Sequence, residues 1–442
     1  MKLRIENFAK IKEADIELNG ITVIGGDNNT GKSTVGKILF GIFNSLNNIE
    51  EKVKTEREQT IEKVCEYTLN SLYTNSVSGI EDDTNLSRAM RYVSEPKLRK
   101  TALEEIKKIQ GVDRRVFIEK IEQIFTGYMN QLMSDKKIAL EQEQNINATL
   151  KLIQECFDIA DNNLEQEYIT RYFSRIFHNQ INSLVKADCD CIVELTIKKQ
   201  INELRFKKNQ CANYVKNIPI LNKAIYIDNP FIIDDFFQEE TGGMMEDYLR
   251  TLLTNDSRSD ISTGLMNTLL TKEKLTEIYE AMYSVVKGDI VEERKNEYYL
   301  KNDDFSSPVS FQNLSAGLKS FVILKMLLEK GSLQQKDVLI LDEPEIHLHP
   351  EWQIAYAELI VLLQKHFDLE IVITTHSPYF LDAIDLFSIK HKINSKVNYY
   401  LSSIDENQVT FEKVTDNIDA IYKKMAQPTQ TLDTLRYELF NN

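Results

Sequence analysis

Apolar and polar residues alternate through the opening stretch of the chain. Leu3, Ile5 and Phe8 lead into a short turn, and Ile16 and Leu18 mark a second strand. The apolar run Ile21-Thr22-Val23-Ile24 then stops at Gly25-Gly26. A helix is predicted from Lys32, with Val35, Ile38, Leu39, Ile42 and Phe43 on its buried side. From about Asn47 to Val185 the pattern changes to long helices. Ile146, Leu150, Ile153, Phe157, Ala160 and Leu164 recur at alternating spacings as a helical seam. The seam is too short for a long coiled-coil arm and predicts a compact helical bundle.

β patterning returns from Ile192 to Lys198 and from Asn202 to Phe206, and Ala224 to Asp228 reads as a buried strand ended by Asn229-Pro230. A second helical stretch is expected from about Ile232 to Val286, with Gly242-Gly243 and an exposed loop from Asn255 to Asp260. Strands at Asp289 to Glu292 and Glu297 to Leu300 come before an alternating order. That order is helix, strand (Val338 to Leu341), helix (Trp352 to Leu363), strand (Glu370 to Thr374), helix, as in an α/β sheet. The tail adds strands at Val397 to Leu401 and Val409 to Phe411 and a helix ending near Leu439. The expected division is a head lobe (1–47), a helical insertion (48–188), return strands of the head (189–231), a second helical segment (232–287) and the second head lobe (288–442).

A chain of 442 residues has room for two or three domains and a well-buried core. Its 42% hydrophobic and 27% charged content is ordinary for a water-soluble chain. Apolar runs such as Glu358 to Leu363 fall far short of the ~20 residues needed to span a bilayer. Met1-Lys2-Leu3-Arg4 opens directly into a strand pattern with no signal peptide, so a cytoplasmic location is expected. Cys65, Cys156, Cys189, Cys191 and Cys211 contain no CxxC pair and read as reduced thiols. A formal net charge of −15 argues against nonspecific wrapping of nucleic acid and leaves local DNA contact open. The basic clusters at Lys97, Arg99 and Lys100, at Lys107, Lys108, Arg114 and Arg115, and at Lys198, Lys199, Arg205, Lys207 and Lys208 read as solvated faces of helices and strands.

Four short segments carry candidate chemistry. The first is Gly26-Asp27-Asn28-Asn29-Thr30-Gly31-Lys32-Ser33, with Thr34 behind it, between a predicted strand and a predicted helix. Its glycines let backbone N–H groups converge on an anion at the positive end of the helix. Lys32 would bridge the β- and γ-phosphates of ATP, and the Ser33 hydroxyl would hold Mg²⁺. The second is the strand Val338 to Leu341, which delivers Asp342 and Glu343. Asp342 fits the Mg²⁺ partner, and Glu343 fits the base that orients and deprotonates water. The third, Leu314-Ser315-Ala316-Gly317, comes before an apolar helix that Ser315 can cap, and the N–H groups at its start would receive a γ-phosphate. The fourth is His376, after an apolar strand in Thr374-Thr375-His376-Ser377-Pro378, where it could contact the same phosphate. His347 and His349 have no third ligand nearby and read as a loop at a dimer seam.

Together these segments resemble the ABC-class ATPases of the SMC, RecF and OLD group. The likeness covers Met1 to about Asn48 and Ser306 to about Leu386. The opening Leu3-Arg4-Ile5-Glu6-Asn7-Phe8 and the string from Asp342-Glu343-Pro344-Glu345 to His349-Pro350 look most like OLD-type proteins and their relatives in bacterial anti-phage systems. The resemblance implies an ABC-type ATPase head, a mixed α/β sheet with a P-loop and a large helical insertion. It further implies a homodimer closed around ATP, with Lys32 and Ser33 on phosphate and Mg²⁺, Asp342 and Glu343 in hydrolysis, Ser315 and Gly317 acting in trans, and His376 as a switch. Two features depart from the pattern. Too little chain follows His376 to hold the Toprim nuclease of OLD proteins alongside the strands and helix already placed. By family analogy the expected partner is a separate effector protein, a nuclease. No Gln stands clearly after a strand between the head halves; Gln180 and Gln210 are the candidates. A DNA-repair or chromosome-structure ATPase that binds DNA directly is the alternative. A transporter subunit fits least, because Lys32 and Ser315 are too far apart in the chain.

Overall fold

The opening alternation folds as a hairpin of β1 (Lys2–Phe8) and β2 (Ile11–Glu17), with Leu3, Ile5, Ala14 and Ile16 buried. A computed structural model describes residues 1–78, 85–132, 136–186, 188–234, 236, 243–254, 275–302 and 306–440. The next apolar run is β3 (Ile21–Gly26), buried along its length, and α1 (Lys32–Leu46) follows it. Then come α2 (Ile49–Ser78), α3 (Asn85–Lys108), α4 (Arg114–Leu132), α5 (Lys136–Asp158) and α6 (Asp161–Phe177). The chain returns to strands with β4 (Cys191–Ile197), β5 (Gln200–Lys207), β6 (Gln210–Lys216) and β7 (Ala224–Ile227). Pro230–Asp234 forms a 3-10 turn, and α7 (Met244–Thr254) and α8 (275–283) precede a small sheet of β8 (Asp289–Arg294), β9 (Glu297–Lys301) and β10 (Val309–Ser310). Gly242 and the expected loop from Asn255 to Asp260 lie outside the described residues.

The last part alternates helix and strand: α9 (Ala316–Glu329), β11 (Val338–Asp342), α10 (Pro350–Phe367), β12 (Glu370–Thr375) and α11 (Pro378–Lys390). It closes with β13 (Val397–Asp405), β14 (Gln408–Lys413) and α12 (Asp419–Phe440). The fold is mixed α/β, built on an eleven-stranded sheet in the order β6-β5-β4-β1-β2-β14-β13-β3-β12-β11-β7. From β13 to β7 all neighbours are parallel, whereas β6 to β2 all pair antiparallel. The parallel strands are near-continuous apolar runs because helices cover them. Phe321, Leu324, Leu359, Leu363, Phe380 and Ile384 of the covering helices share a core with Val23, Leu339, Leu341 and Ile373 of the strands.

Two local features depart from the sequence pattern. β6 is not predicted, because Gln210-Cys211-Ala212-Asn213 offers little alternation. It is paired by a tight turn in which Lys208 and Asn209 are both left-handed, the conformation of a type I′ hairpin. Lys198 and Lys199 make the same turn between β4 and β5 without the glycine or asparagine that would announce it. The single helical seam is also corrected. α5 ends at Asp158 and α6 begins at Asp161, so Ala160 falls in the break and is exposed. Arg57 holds that break by pairing with Asp161 at 2.6 Å and donating to the Ile159 carbonyl at 2.8 Å.

The described chain divides into two compact units, Met1–Asn47 with Ile169–Asn442, and Asn48–Tyr168. The second has a core of its own, with Cys65 and Leu69 of α2, Ile106 of α3, Ile121 and Phe125 of α4 and Ile153 of α5 fully buried. In the first, α1 lies on the sheet at Gly36, where a Cβ would come 2.7 Å from Ile340 Cγ2 and 3.2 Å from Tyr226 Cε2. Helix propensity favours Ala over Gly by about 1 kcal/mol. Overpacking costs about 1–3 kcal/mol. The clash should therefore win, and Gly36→Ala is expected to lower stability in urea unfolding at an unchanged slope; a gain in stability would mean that this contact is loose.

Candidate nucleotide-binding site

At the end of β3 the chain must turn sharply beneath β13. Gly26 has φ 146°, and a Cβ there would fall 2.2 Å from Ser402 Oγ, so only glycine fits. Ser402, opposite Gly26 on β13, braces the turn: its Oγ donates to the Gly25 carbonyl at 3.1 Å and stands 2.6 Å from Thr30 Oγ1. Thr30 Oγ1 also donates to the Asp27 carbonyl at 2.7 Å. On the outer side, Lys10 Nζ reaches Asn29 Oδ1 at 3.2 Å. Lys424 of α12 pairs with Asp27 at 2.7 Å, and Ile421 of the same helix lies over Gly25, whose Cβ would meet Ile421 Cγ2 at 2.6 Å.

α1 starts at left-handed Gly31 with no side-chain cap and no acidic residue in its first turn. A helix start left this way keeps its first N–H groups for an anion. Buried Lys32 donates from Nζ to the carbonyls of Gly26 at 3.1 Å and Asp27 at 2.7 Å, so it closes the loop upon itself. Burial lowers the Lys32 pKa, opposed by the charges of Glu343 and Asp342.

Asp342 ends β11, where β12 places Thr374 beside it. Its Oδ1 accepts from Ser33 Oγ at 2.9 Å and from Thr374 Oγ1 at 2.5 Å, and its Oδ2 accepts from the Tyr226 hydroxyl at 2.5 Å. A serine hydroxyl and a carboxylate oxygen this close at the foot of an uncapped helix are the hard oxygen donors that suit Mg²⁺. Ser33 and Asp342 could hold that ion beside the phosphates of a nucleotide. Glu343 follows with φ 51°, a left-handed conformation uncommon outside glycine, held by hydrogen bonds from its N–H to Thr374 O at 3.1 Å and Oγ1 at 3.0 Å. His376 Nε2 stands 3.0 Å from Glu343 Oε1, without a hydrogen-bonding alignment. Burial lowers the His376 pKa and the Lys32 charge adds to the effect, while Glu343 opposes both.

Lys32, Ser33, Asp342, Glu343 and His376 thus stand at one edge of the sheet, outside the carboxyl ends of parallel strands, where open α/β sheets bind ligands. Ser315, Ala316 and Gly317 are at the head of α9, where Ser315 Oγ accepts from Leu318 N–H. None of the described hydrogen bonds or ion pairs links that turn to the 26–33 loop. Gln180 follows α6 and Gln210 opens the edge strand β6, at the far end of the sheet from β11. Asp228, not a glutamine, follows the strand that neighbours β11.

The family model described as AAA ATPase domain matches residues 1–381. The chain belongs to this family. Among curated proteins, this AAA ATPase domain chain is 29% identical over 165 residues to the Retron Ec83 probable ATPase of Escherichia coli, covering 31% of the chain and 30% of that protein. It is 29% identical over 135 residues to the Septu protein PtuA of Bacillus thuringiensis, covering 26% and 33%. It is 24% identical over 195 residues to a candidate ABC transporter ATP-binding protein of Clostridium acetobutylicum, covering 44% and 62%. Each match spans less than two thirds of the relative's length. A solved SMC head bound to the C-winged helix domain of ScpA aligns with 93% of the chain and 96% of its own at 10% identity and a TM-score of 0.43.

Five further residues of the AAA ATPase domain shape the site, none of them given a role in the sequence reading: Tyr226, Thr374, Ser402, Glu345 and Gln353. Glu345 had a visible signal, a second acid behind Asp342-Glu343-Pro344. It is 5% exposed, and burial raises its pKa. Its Oε1 accepts from Thr375 Oγ1 at 2.6 Å, His376 N–H at 2.8 Å and Ser377 N–H at 3.2 Å. Gln353 ties the same turn from below, accepting from Ser377 Oγ at 2.7 Å and donating to Leu348 O at 3.1 Å. Glu345→Ala would leave those donors unpaired, at about 1–3 kcal/mol for a buried group. It is expected to destabilise the chain in chemical unfolding more than Glu345→Gln does, and wild-type stability in Glu345→Ala would show that the carboxylate does not hold the His376 turn.

Proposed function

We propose that the chain is an ATPase that binds ATP with Mg²⁺, closes as a head-to-head homodimer around two nucleotides, and thereby regulates a separate effector protein in anti-phage defence. The observation that carries the reading is the meeting of Lys32, the Ser33–Asp342 pair and the Glu343–His376 pair at the foot of the uncapped helix α1.

On this reading the N–H groups from Gly31 to Ser33 and the Lys32 ammonium bind the β- and γ-phosphates, Lys32 giving up its two loop carbonyls to do so. Mg²⁺, when bound, neutralises phosphate charge, and Ser33 and Asp342 hold it. Glu343 accepts a proton from the attacking water while its backbone, fixed on Thr374, keeps the carboxylate at the phosphate end. His376, whose pKa burial and the Lys32 charge lower, can donate from its ring to the γ-phosphate. Ser315 and the N-terminus of α9 complete the site on the second copy. ATP then links two chains, and its hydrolysis removes the link.

The defence role rests on the OLD-type likeness of the string from Asp342 to Pro350, and similarity to a retron ATPase and a Septu protein is in keeping with it. Direct DNA binding is the competing reading. Against it, Lys198 and Lys199 lie at one end of β5 and Lys207 and Lys208 at the other, so they do not make one patch.

Two experiments test the proposal. Glu343→Gln should slow turnover by about 10²-fold or more while keeping ATP binding, and native mass spectrometry should then show dimers only with ATP and Mg²⁺. Turnover at the wild-type rate would remove Glu343 as the base. Mixing Lys32→Ala chains with Ser315→Arg chains should recover ATP turnover that neither has alone, since one composite site stays intact if Ser315 works in trans; no recovery would place both half-sites within one chain.

A further inference from the structure

Tyr226 stands where an apolar residue would serve the core equally well. It is the third residue of β7, opposite Ile340 on β11, and only 2% exposed. Its ring passes between the sheet and α1, edge-on to Phe40 at a centroid distance of 6.4 Å. Gly36 leaves the room, since a Cβ there would press on Tyr226 Cε2. Helix and strand thus leave a channel along which the phenol reaches past the end of its own strand to Asp342 Oδ2, at 2.5 Å.

The two oxygens of Asp342 are consequently not equivalent. Oδ1 faces the hydroxyls of Ser33 and Thr374, and Oδ2 is engaged by a donor fixed from the core. Resting on the reading of Ser33 and Asp342 as the Mg²⁺ pair, we propose that Tyr226 is a positioning residue of the metal site. It ties down Oδ2 so that Asp342 turns one oxygen only toward the metal. This constraint selects between ions. Mg²⁺ requires near-octahedral geometry and suits a carboxylate that offers one oxygen, whereas the larger Ca²⁺ readily accepts both oxygens of one carboxylate. With Oδ2 held by Tyr226, bidentate coordination is closed off and Mg²⁺ is favoured.

The test is metal-dependent binding of a fluorescent, non-hydrolysable ATP analogue, titrated separately with Mg²⁺ and with Ca²⁺. Tyr226→Phe removes one oxygen atom and keeps the ring. The half-saturating Mg²⁺ concentration should rise about tenfold, as for loss of an outer-shell partner, while that for Ca²⁺ stays level or falls, so the preference for Mg²⁺ shrinks. Thr374→Val is the control. It removes a donor from Oδ1, leaves Oδ2 tied, and should weaken both ions alike. Analogue binding without metal and the urea midpoint report whether the pocket and fold are intact. An unchanged Mg²⁺ to Ca²⁺ preference in Tyr226→Phe, with Asp342→Asn losing metal dependence, would overturn the role of Tyr226 and leave the site reading standing. Asp342→Asn and Ser33→Ala that bind like wild type with either ion would overturn the site reading beneath it.

Discussion

Parallel pairing of β3, β12, β11 and β7 is the constraint on which the site depends. Parallel strands end at the same edge, and the register fixes where: Gly25 lies opposite Thr375, Thr374 opposite Asp342, and Leu341 opposite Ile227. Residues as distant in sequence as Ser33, Tyr226, Asp342 and Thr374 are therefore neighbours before any side chain is considered. A slip of one residue would exchange the faces of each strand and turn Asp342 away from Ser33. The apolar runs that set the register thus build the core and the chemistry together.

Much of this was legible in the chain. The glycine-flanked loop after β3 and the acids after β11 announce themselves because their backbone and charge requirements are local. Tyr226 does not, since in Ala-Ile-Tyr-Ile it looks like one more apolar strand residue, and only the pairing of β7 with β11 shows its hydroxyl to be used. Ser402 is equally silent, because its partners, Thr30 and the Gly25 carbonyl, are more than three hundred and seventy residues away. Turn chemistry also misleads. Lys198-Lys199 forms a type I′ hairpin although neither residue is a usual left-handed former, so the β4–β5–β6 meander is only half visible. The helical seam ran on through Ala160 because periodicity counts residues and does not see Arg57 holding Asp161.

Burying Glu345 is costly unless its charge is satisfied. Burial raises its pKa, and the three donors that converge on one oxygen oppose the rise while the other oxygen has none. The same residue lies in the segment that passes α9, where the His347 carbonyl would stand 3.0 Å from a Cβ at Gly317. The His376 turn and the Ser315 turn are therefore joined through one short stretch, Glu345 to Leu348, closed by Gln353. A Cβ at 317 would sit tightly against the His347 carbonyl and the Trp352 ring, so a small residue suits that position.

The last helix has a different kind of importance. Its first turns rest on the turn after β3 through Ile421 over Gly25 and Lys424 on Asp27, and from residue 430 to 439 it is exposed, with Leu432, Leu435 and Leu439 uncovered. α12 is thus a handle whose inner end is fastened to the floor of the loop. Whatever moves the outer turns as a body would act first on the contacts at Gly25 and Asp27. The turn after β3 is thus braced from two sides, by β13 through Ser402 and by α12 through Ile421 and Lys424.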